Sequence, residues 1–239
     1  MAKEKRLNMT QAIILAAGMG KRLGINYPKC LSKINNKTLL ERCLTCLKKK
    51  NITDIIIVTG YKANILIKSV IEEDVNVSYI CNDKYLTTNN CVSLLKALPL
   101  IENDFFIIES DVIFEPDILT KLKEDKHRIN WAVDKFNKDM NGSALTINRD
   151  KRITKIKYLT EFSPNKFKSV GILYVSGEYR NTLRKWLENR PDDNLYYDQV
   201  IALNLAECPI YAKDISGSKW FEIDTPEELK KAKELFNGL

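Results

Sequence analysis

The fold is decided by one stretch near the start of the chain, Ala12-Ile13-Ile14-Leu15-Ala16-Ala17-Gly18-Met19-Gly20-Lys21-Arg22-Leu23-Gly24. It begins as a short, continuous apolar run, which is typical of a strand covered on both faces of a parallel sheet. The run stops at a glycine, and a second glycine follows two positions later. Glycines let the backbone approach a ligand closely, and turn amides can donate to phosphate oxygens. The stretch therefore predicts a strand that ends in an anion-binding loop.

Further apolar runs follow at Ile55-Ile56-Ile57-Val58, Val75 to Cys81 and Phe105-Phe106-Ile107-Ile108, with helical patterns between them. Thr38 and Glu41 have the spacing of a capping box at a helix start, and Thr225-Pro226-Glu227-Glu228 predicts the start of a final helix with a threonine N-cap. Beyond about residue 130 the segments alternate or are β-branched, which predicts additional, partly antiparallel strands. Short alternating strands and helices indicate an α/β fold with right-handed crossovers. We therefore predict a Rossmann-like, mixed and mostly parallel sheet flanked by helices.

Composition and charge limit the classes of function that the chain can have. The chain has 239 residues, 44% of them hydrophobic, and a net charge of +7. It is too apolar for a disordered protein, and no apolar run approaches the ~18–20 residues of a membrane span. The segment Met1 to Gln11 is polar and basic, so we expect no secretory signal and a cytoplasmic protein. Lys21, Arg22 and Lys29 stand beside no acidic residue, which favours an anionic substrate over a nucleic acid.

Cysteine and histidine chemistry is not expected. A cytoplasmic protein is in a reducing compartment, so the six cysteines are predicted to be free thiols. Cys43 and Cys46 form a C-x-x-C, but their spacing with neighbouring leucines indicates the buried face of a helix. The single histidine, His127, lies in a charged stretch, 123–128, that predicts a solvated loop. A catalytic triad or a zinc site therefore has little support.

Two common glycine-loop classes do not fit. A dinucleotide-binding loop has the pattern G-x-G-x-x-G, and here the third glycine comes one position late. The acidic residue expected after the second strand is replaced by Thr59-Gly60-Tyr61. A Walker A loop needs four residues between its glycines and a Lys-Ser/Thr pair, and neither is present. Gly18, Gly60 and Asp111 nevertheless all follow predicted strands, at the sheet edge where α/β proteins bind ligands.

The segment 15–23, followed by Pro28-Lys29, resembles the signature of nucleotidyltransferases that join a nucleoside triphosphate to a phosphorylated small molecule. The likeness extends over nearly the whole chain from Thr10. The segment 220–227, Trp-Phe-Glu-Ile-Asp-Thr-Pro-Glu, looks like the C-terminal metal segment of that family. The segment 82–94 is similar to the bacterial phosphocholine cytidylyltransferase branch, and phosphonate and phospho-inositol cytidylyltransferases are also close.

The resemblance implies a glycosyltransferase-A-like nucleotidyltransferase domain over 1–239, with a nucleotide-binding half at about 10–125 and an acceptor-binding half at about 126–239. It implies Mg²⁺ bound by Asp111 and Asp224, whose hard oxygen ligands suit that ion. The implied nucleotide-binding residues are Leu15, Ala16, Ala17, Gly18, Met19, Gly20, Lys29, Asn82, Asn90, Ser93 and Asp111. The implied catalytic residues are Arg22 and Lys29 on the nucleotide phosphates and Lys157 on the acceptor phosphate, with Lys155 and Lys168 as rivals to Lys157.

The acceptor is expected to carry an ammonium group. Tyr196, Tyr197, Trp131 and Trp220 could form an aromatic cage, with negative charge from Asp198 and Glu222. The alternative is that these aromatic side chains pack the core. The expected function is transfer of CMP from CTP to a phosphocholine-like amino-alcohol phosphate or an aminoalkylphosphonate, with no nucleic-acid or membrane partner and with a homodimer left open. The runner-up is a nucleotidyltransferase that uses UTP, dTTP or CTP and a sugar 1-phosphate or other polyol phosphate. A nucleotide- or RNA-binding regulator without catalysis is a third hypothesis.

Overall fold

The computed structural model describes residues 9–70 and 74–237. The prediction about a leader segment rests partly on residues 1–8 and so lies partly outside this range. The strands are β1 Gln11–Leu15, β2 Lys33–Ile34, β3 Lys37–Thr38, β4 Asp54–Thr59, β5 Asn76–Cys81, β6 Phe105–Glu109, β7 Val112–Phe114, β8 Ile129–Lys135, β9 Gly142–Ile147, β10 Ile153–Leu159, β11 Phe167–Val175, β12 Tyr211–Asp214 and β13 Trp220–Glu222. The α-helices are α1 Leu39–Lys49, α2 Ala63–Ser69, α3 Asn90–Ala97, α4 Asp117–Lys123, α5 Arg180–Glu188, α6 Tyr197–Leu203 and α7 Pro226–Leu235.

One nine-stranded sheet joins strands from both halves of the chain, in the order β10-β9-β11-β6-β1-β4-β5, with β8 pairing β11 and β12. The strands β6, β1, β4 and β5 run parallel. β11 runs antiparallel to β6, β8 and β9, and β10 runs antiparallel to β9. The predicted mixed sheet with flanking helices is therefore confirmed, and the change to antiparallel pairing falls where the sequence pattern changes.

Both faces of the central strands are buried, which explains the continuous apolar run of β1. Ile13 and Leu15 belong to one core cluster, and Ala12 and Ile14 belong to another on the opposite face. Helices α3, α5 and α6 supply side chains to the first cluster, and α1 and α4 supply the second. Alternate residues of one strand thus fill two different cores, as doubly covered parallel strands do.

The helix starts confirm the sequence signals. At α1, Glu41 N donates to Thr38 Oγ1 at 3.1 Å, and Thr38 N donates to Glu41 Oε2 at 2.6 Å. At α7, the same reciprocal pair links Thr225 and Glu228, with Pro226 at the first helical position. Each box satisfies amide donors that the first helical turn leaves unpaired.

Several features differ from the prediction or extend it. The short strands β7 and β13 pair with each other, and the sequence pattern did not indicate them. Residues 124–128 form a largely exposed loop, as expected, but His127 is half-buried and its ring stacks on Tyr211 with centroids 3.5 Å apart. All six cysteines are free thiols, and Cys43 and Cys46 are buried, as expected. Among the described helices, none has the length and apolarity to cross a bilayer.

Candidate active site

A cavity of about 340 Å³ opens at the carboxyl ends of β1 and β6. Its size is that of a small-molecule site, and its position is where open α/β sheets bind ligands. On one side it is lined by predicted nucleotide-binding residues, namely Leu15, Ala16, Ala17, Gly18, Gly20, Lys29, Asn82, Asn90, Ser93 and Asp111. Met19 does not line the cavity, although its neighbours on both sides do. The other side is formed by residues of the second half of the chain.

The glycine loop brings a lysine into the cavity. Gly20 has φ 60° and ψ 40°, a left-handed conformation that favours glycine. A Cβ atom at this position would lie 2.8 Å from Cβ of Lys29. A side chain at residue 20 would therefore displace Lys29, and the second glycine of the loop is needed for the position of that lysine.

Lys29 joins two carboxylates that are far apart in the sequence. Its Nζ lies 2.6 Å from Asp111 Oδ2 and 2.6 Å from Asp224 Oδ1. Burial alone would lower the pKa of Lys29, but the charges of Asp111 and Asp224 more than offset it and raise the pKa. Arg22 Nη2 contacts the other oxygen of Asp224 at 2.9 Å. The two aspartates and two cations predicted from the sequence thus form one ion-pair network.

Backbone pairing places these two aspartates side by side. β7 starts directly after Asp111, and β13 ends two residues before Asp224. Glu222 of β13 pairs with Val112 of β7, and Ile223 N donates to Asp111 O at 3.0 Å. The unpredicted strands are therefore the elements that assemble the predicted carboxylate pair.

The carboxylate pair fits a hard divalent cation. Asp111 Oδ1 is buried and has no hydrogen-bond partner among the described residues. Carboxylate oxygens are the ligands that Mg²⁺ takes, usually one or two with substrate phosphates and waters completing the shell. In the described part of the chain, no group of three or more His, Cys, Asp or Glu side chains has metal-binding geometry. The site thus suits a metal that arrives with a phosphate ligand better than a metal held by protein alone.

The second half contributes a buried lysine, Lys168. Its Nζ lies 2.7 Å from Glu222 Oε2, and only 7% of its side chain is exposed. Burial alone would lower the pKa of Lys168, but Glu222 outweighs it and the pKa is raised. A Cβ atom at Gly142, where φ is 105°, would lie 2.8 Å from Lys168 Nζ. The lysine therefore occupies space that only glycine leaves open on β9.

The expectation that Lys157 reaches the acceptor is corrected by this geometry, because Lys157 does not line the cavity and Lys168 does. Tyr158 pairs with Ser143 across β10 and β9, and both side chains line the cavity. Lys157 lies on the edge strand, where it pairs with Ala144, and it is exposed, as is Lys155. Lys168 lies on β11, nearer the centre of the sheet, and is the rival that the structure places in the site.

A carboxylate that the sequence analysis did not select, Glu109, also lines the cavity. Burial, then the neighbouring charges of Asp111, Glu222 and Asp198, raise the pKa of Glu109 to about 8. Asp198 accepts a hydrogen bond from Ser143 Oγ. Its pKa is raised by burial despite that bond. The acceptor side therefore holds three carboxyl groups, those of Glu109, Asp198 and Glu222, beside the single ammonium of Lys168.

The predicted four-membered aromatic cage is not present. Tyr196 lines the cavity, but Tyr197 and Trp131 are fully buried and stack on each other with centroids 6.1 Å apart. Trp131 Nε1 donates to Ser169 Oγ at 2.9 Å. Trp220 lies outside the cavity and donates to Asp134 Oδ2 at 2.8 Å. In the first turn of α6, residues 196 and 198 face the cavity while residue 197 faces the core. Tyr158 and Tyr85, which the prediction omitted, also line the cavity.

On the nucleotide side, Asn82 is held in a fixed orientation. Its Nδ2 donates to Thr88 Oγ1 and to Ser93 Oγ, each at 3.1 Å, and its Oδ1 accepts from Lys84 N at 3.1 Å. Only 1% of Asn82 is exposed. This amide therefore forms part of the cavity wall and ties α3 to the end of β5.

A glycine loop after the first strand, basic side chains and paired carboxylates at one sheet edge define a nucleotidyltransferase. Residues 12–191 match the MobA-like NTP transferase domain, and the chain belongs to that family. The chain is 28% identical over 243 residues to choline-phosphate cytidylyltransferase of Streptococcus pneumoniae, covering 95% of this chain and 99% of the relative. It is 25% identical to CMP-5'-(3-aminopropyl)phosphonate synthase of Streptomyces rubellomurinus over 93% of this chain, but spans only 38% of that protein.

Solved structures agree with the family. The structure of CTP:phosphocholine cytidylyltransferase from Streptococcus pneumoniae matches with a TM-score of 0.81 and 25% identity, covering 95% of this chain and 99% of that one. The inositol-1-phosphate CTP transferase from T. maritima matches with a TM-score of 0.80 and 22% identity, over 97% of this chain and 98% of that one. The second match supports the fold alone. The resemblance inferred from the sequence, to phosphocholine cytidylyltransferases within a nucleotidyltransferase family, is confirmed.

Proposed function

We propose that this enzyme transfers CMP from CTP to a small phosphorylated amino-alcohol of the phosphocholine type, or to an aminoalkylphosphonate, and releases pyrophosphate. One observation supports this most directly. A single cavity joins a basic glycine loop and an aspartate pair to a second compartment with one buried lysine and three carboxyl groups. The first compartment suits a triphosphate, and the second suits a molecule that carries both an anionic and a cationic group.

In this proposal the first half of the chain, about 10–125, binds the nucleotide. Lys29 and Arg22 neutralise charge on the phosphates of CTP. Asp111 and Asp224 are the residues that would hold Mg²⁺, and the ion would supply further positive charge to the triphosphate. Asn82 and Ser93 shape the base pocket. The choice of cytosine rests on the relatives that are named for CTP or CMP chemistry.

The acceptor phosphate needs no general base, because it is already anionic near neutral pH. One of its oxygens forms a bond to the α-phosphorus of CTP while the bond from that phosphorus to the pyrophosphate oxygen breaks. Lys168 orients the acceptor phosphate for this in-line attack, and no covalent protein intermediate forms. Catalysis then comes from positioning and electrostatic stabilisation of the transferred group.

The ammonium end of the acceptor would lie against Asp198 and Glu222, because Glu109, with its pKa raised to about 8, is mostly protonated at neutral pH. The rings of Tyr158 and Tyr196 provide the apolar and cation–π contacts that suit a quaternary or primary ammonium. The acceptor half, about 126–239, thus reads both ends of a short zwitterion. Whether the enzyme forms a homodimer and whether it is cytoplasmic stay predictions.

The test is a pyrophosphate-release assay with Mg²⁺. CTP, UTP and dTTP are each combined with phosphocholine, phosphoethanolamine, 2-aminoethylphosphonate and glucose 1-phosphate. We expect turnover with CTP and an amino-alcohol phosphate or aminophosphonate. Turnover only with glucose 1-phosphate would replace the proposal with the sugar-phosphate alternative. No turnover with any of these pairs would refute it.

A matched pair of variants tests the acceptor lysine. Lys168→Ala should raise KM for the acceptor and lower kcat by about 10²-fold or more, since the attacking phosphate loses its charged partner. Lys157→Ala removes a lysine of the same sheet that lies outside the cavity, and its kinetics should match wild type. Equal losses in the two variants would contradict the assignment of Lys168.

A further inference from the structure

The N-terminal ends of helices α3 and α6 are tied together by hydrogen bonds. Asn89 N donates to Asp193 O at 2.8 Å, and Asn89 Nδ2 donates to Asn194 O at 3.2 Å. One residue further along α3, Asn90 Oδ1 accepts from Tyr197 N at 2.8 Å. The start of α3, on the nucleotide side of the cavity, therefore supports the start of α6, on the acceptor side.

The bond from Tyr197 N matters because of its place in α6. The first amides of a helix have no partner within the helix and need an acceptor from elsewhere. Tyrosine at the preceding position is not among the residues that favour N-caps. Asn90 Oδ1 supplies this acceptor from another helix, while Gln199 Oε1 of α6 itself accepts from Tyr196 N at 2.8 Å, so Asn90 is the contact that fixes the start of α6 from outside the helix.

Tyr196 and Asp198, the residues on either side of Tyr197, form what we call the acceptor wall. Both line the cavity, and Asp198 also accepts from Ser143 on β9. Asn90 Nδ2, in contrast, donates to none of the described residues and belongs to a side chain that lines the cavity. Asn90 Oδ1 thus bonds to α6, whereas Nδ2 of the same amide makes no hydrogen bond to the described residues.

We propose that Asn90 is a positioning residue for the acceptor: its Oδ1 fixes the acceptor wall, although the residue itself lies on the nucleotide side. The inference rests on the proposed function, because it needs an acceptor in this compartment. It changes the role expected for Asn90, which the sequence assigned to nucleotide binding alone.

The experiment measures KM for CTP, KM for the acceptor and kcat in the intact enzyme, with phosphocholine as the probe or whichever acceptor the wild-type enzyme turns over. Asn90→Ala should raise KM for the acceptor about three- to tenfold at saturating CTP, the range allowed by the net loss of one neutral hydrogen bond. Asn90→Asp keeps an acceptor oxygen for Tyr197 N and should return the acceptor KM to within about twofold of wild type.

A matched control, Asn204, lies at the C-terminal end of α6. Asn204 Nδ2 donates to Val200 O at 2.8 Å, and Asn204 does not line the cavity. Asn204→Ala removes a hydrogen bond from α6 without touching the acceptor wall, so the acceptor KM should not change. If Asn90→Ala does not fold, Asn90→Ser, whose hydroxyl is one bond shorter than the amide arm, takes its place.

Two outcomes overturn the inference. A rise in KM for CTP alone in Asn90→Ala and Asn90→Asp would make Asn90 a nucleotide contact only. An equal rise in acceptor KM in Asn204→Ala would mean that any loosening of α6 has this effect. Failure of the proposed function is distinct, since the wild-type enzyme would then turn over none of the acceptors.

Discussion

Replacing Lys29 by methionine tests the ion-pair network most severely. The variant keeps the volume of the side chain but removes the ammonium that lies 2.6 Å from each of two aspartates. Only 12% of the Lys29 side chain is exposed, so both carboxylates lose a partner that water replaces poorly. Removing one partner of a buried ion pair costs about 3–5 kcal/mol.

The lower end of that range, about 3 kcal/mol, applies here. Asp224 keeps its contact with Arg22 at 2.9 Å, while Asp111 keeps no cation at hydrogen-bond distance among the described residues. For a chain of 150–250 residues, a loss of about 3 kcal/mol lowers Tm by roughly 6–12 °C. The assay is thermal unfolding at pH 7.5 in the absence of divalent metal.

Two further measurements separate this explanation from a general packing defect. Lys21→Met changes an exposed lysine of the same loop that makes no ion pair with the described residues, and Tm should move by less than about 2 °C. Mg²⁺ should raise Tm of Lys29→Met more than Tm of wild type, because the metal then supplies the missing positive charge. A Tm within 2 °C of wild type for Lys29→Met, or an equal response to Mg²⁺ in both proteins, would refute the reasoning.

Other predictions concern the carboxyl groups. Asp111→Asn should lower kcat by at least about 10²-fold while the protein stays folded by circular dichroism, because the carboxylate pair proposed to hold the metal loses one charge. Wild-type turnover would remove Asp111 from the mechanism. The pKa of Glu109 is raised to about 8 in the fold from a reference value of 4.5, so the folded state binds this proton more tightly than the unfolded state. Stability should therefore fall as pH rises from about 4.5 to 8, and Glu109→Gln should reduce that fall. Urea unfolding at pH 5 and pH 8 without metal checks this, and an unchanged pH dependence in the variant would contradict it.

The parts of the site that could be predicted from sequence are those fixed by local pattern. The apolar run before Gly18 predicted the first strand and its loop, and the resemblance to nucleotidyltransferases pointed to Asp111 and Asp224. The capping boxes of α1 and α7 were visible because they need only two residues at a set spacing. These features depend on neighbours in the chain, so a single sequence contains them.

The missed features depend on pairing across the sheet. Whether Lys157 or Lys168 reaches the cavity is decided by which strand lies nearer the sheet centre, and strand order is not written in local pattern. Glu109 was overlooked because it continues β6 beyond the four apolar residues that marked the strand. Trp131 and Tyr197 are aromatic, as a cage requires, but they are buried in the core. Only the packing of α6 on the sheet separates the two roles.

The change from parallel to antiparallel pairing at β11 has a consequence for how substrate range can evolve or be engineered. The glycine loop and Asp111, which we propose act on the triphosphate, follow the parallel strands β1 and β6, so their positions depend on the whole sheet. Ser143 and Tyr158, in contrast, lie within the hairpin of β9 and β10, where side chains can be substituted one at a time. Substitutions along this hairpin can therefore alter the acceptor while the phosphate chemistry stays intact, which makes the hairpin the place to begin the redesign of specificity.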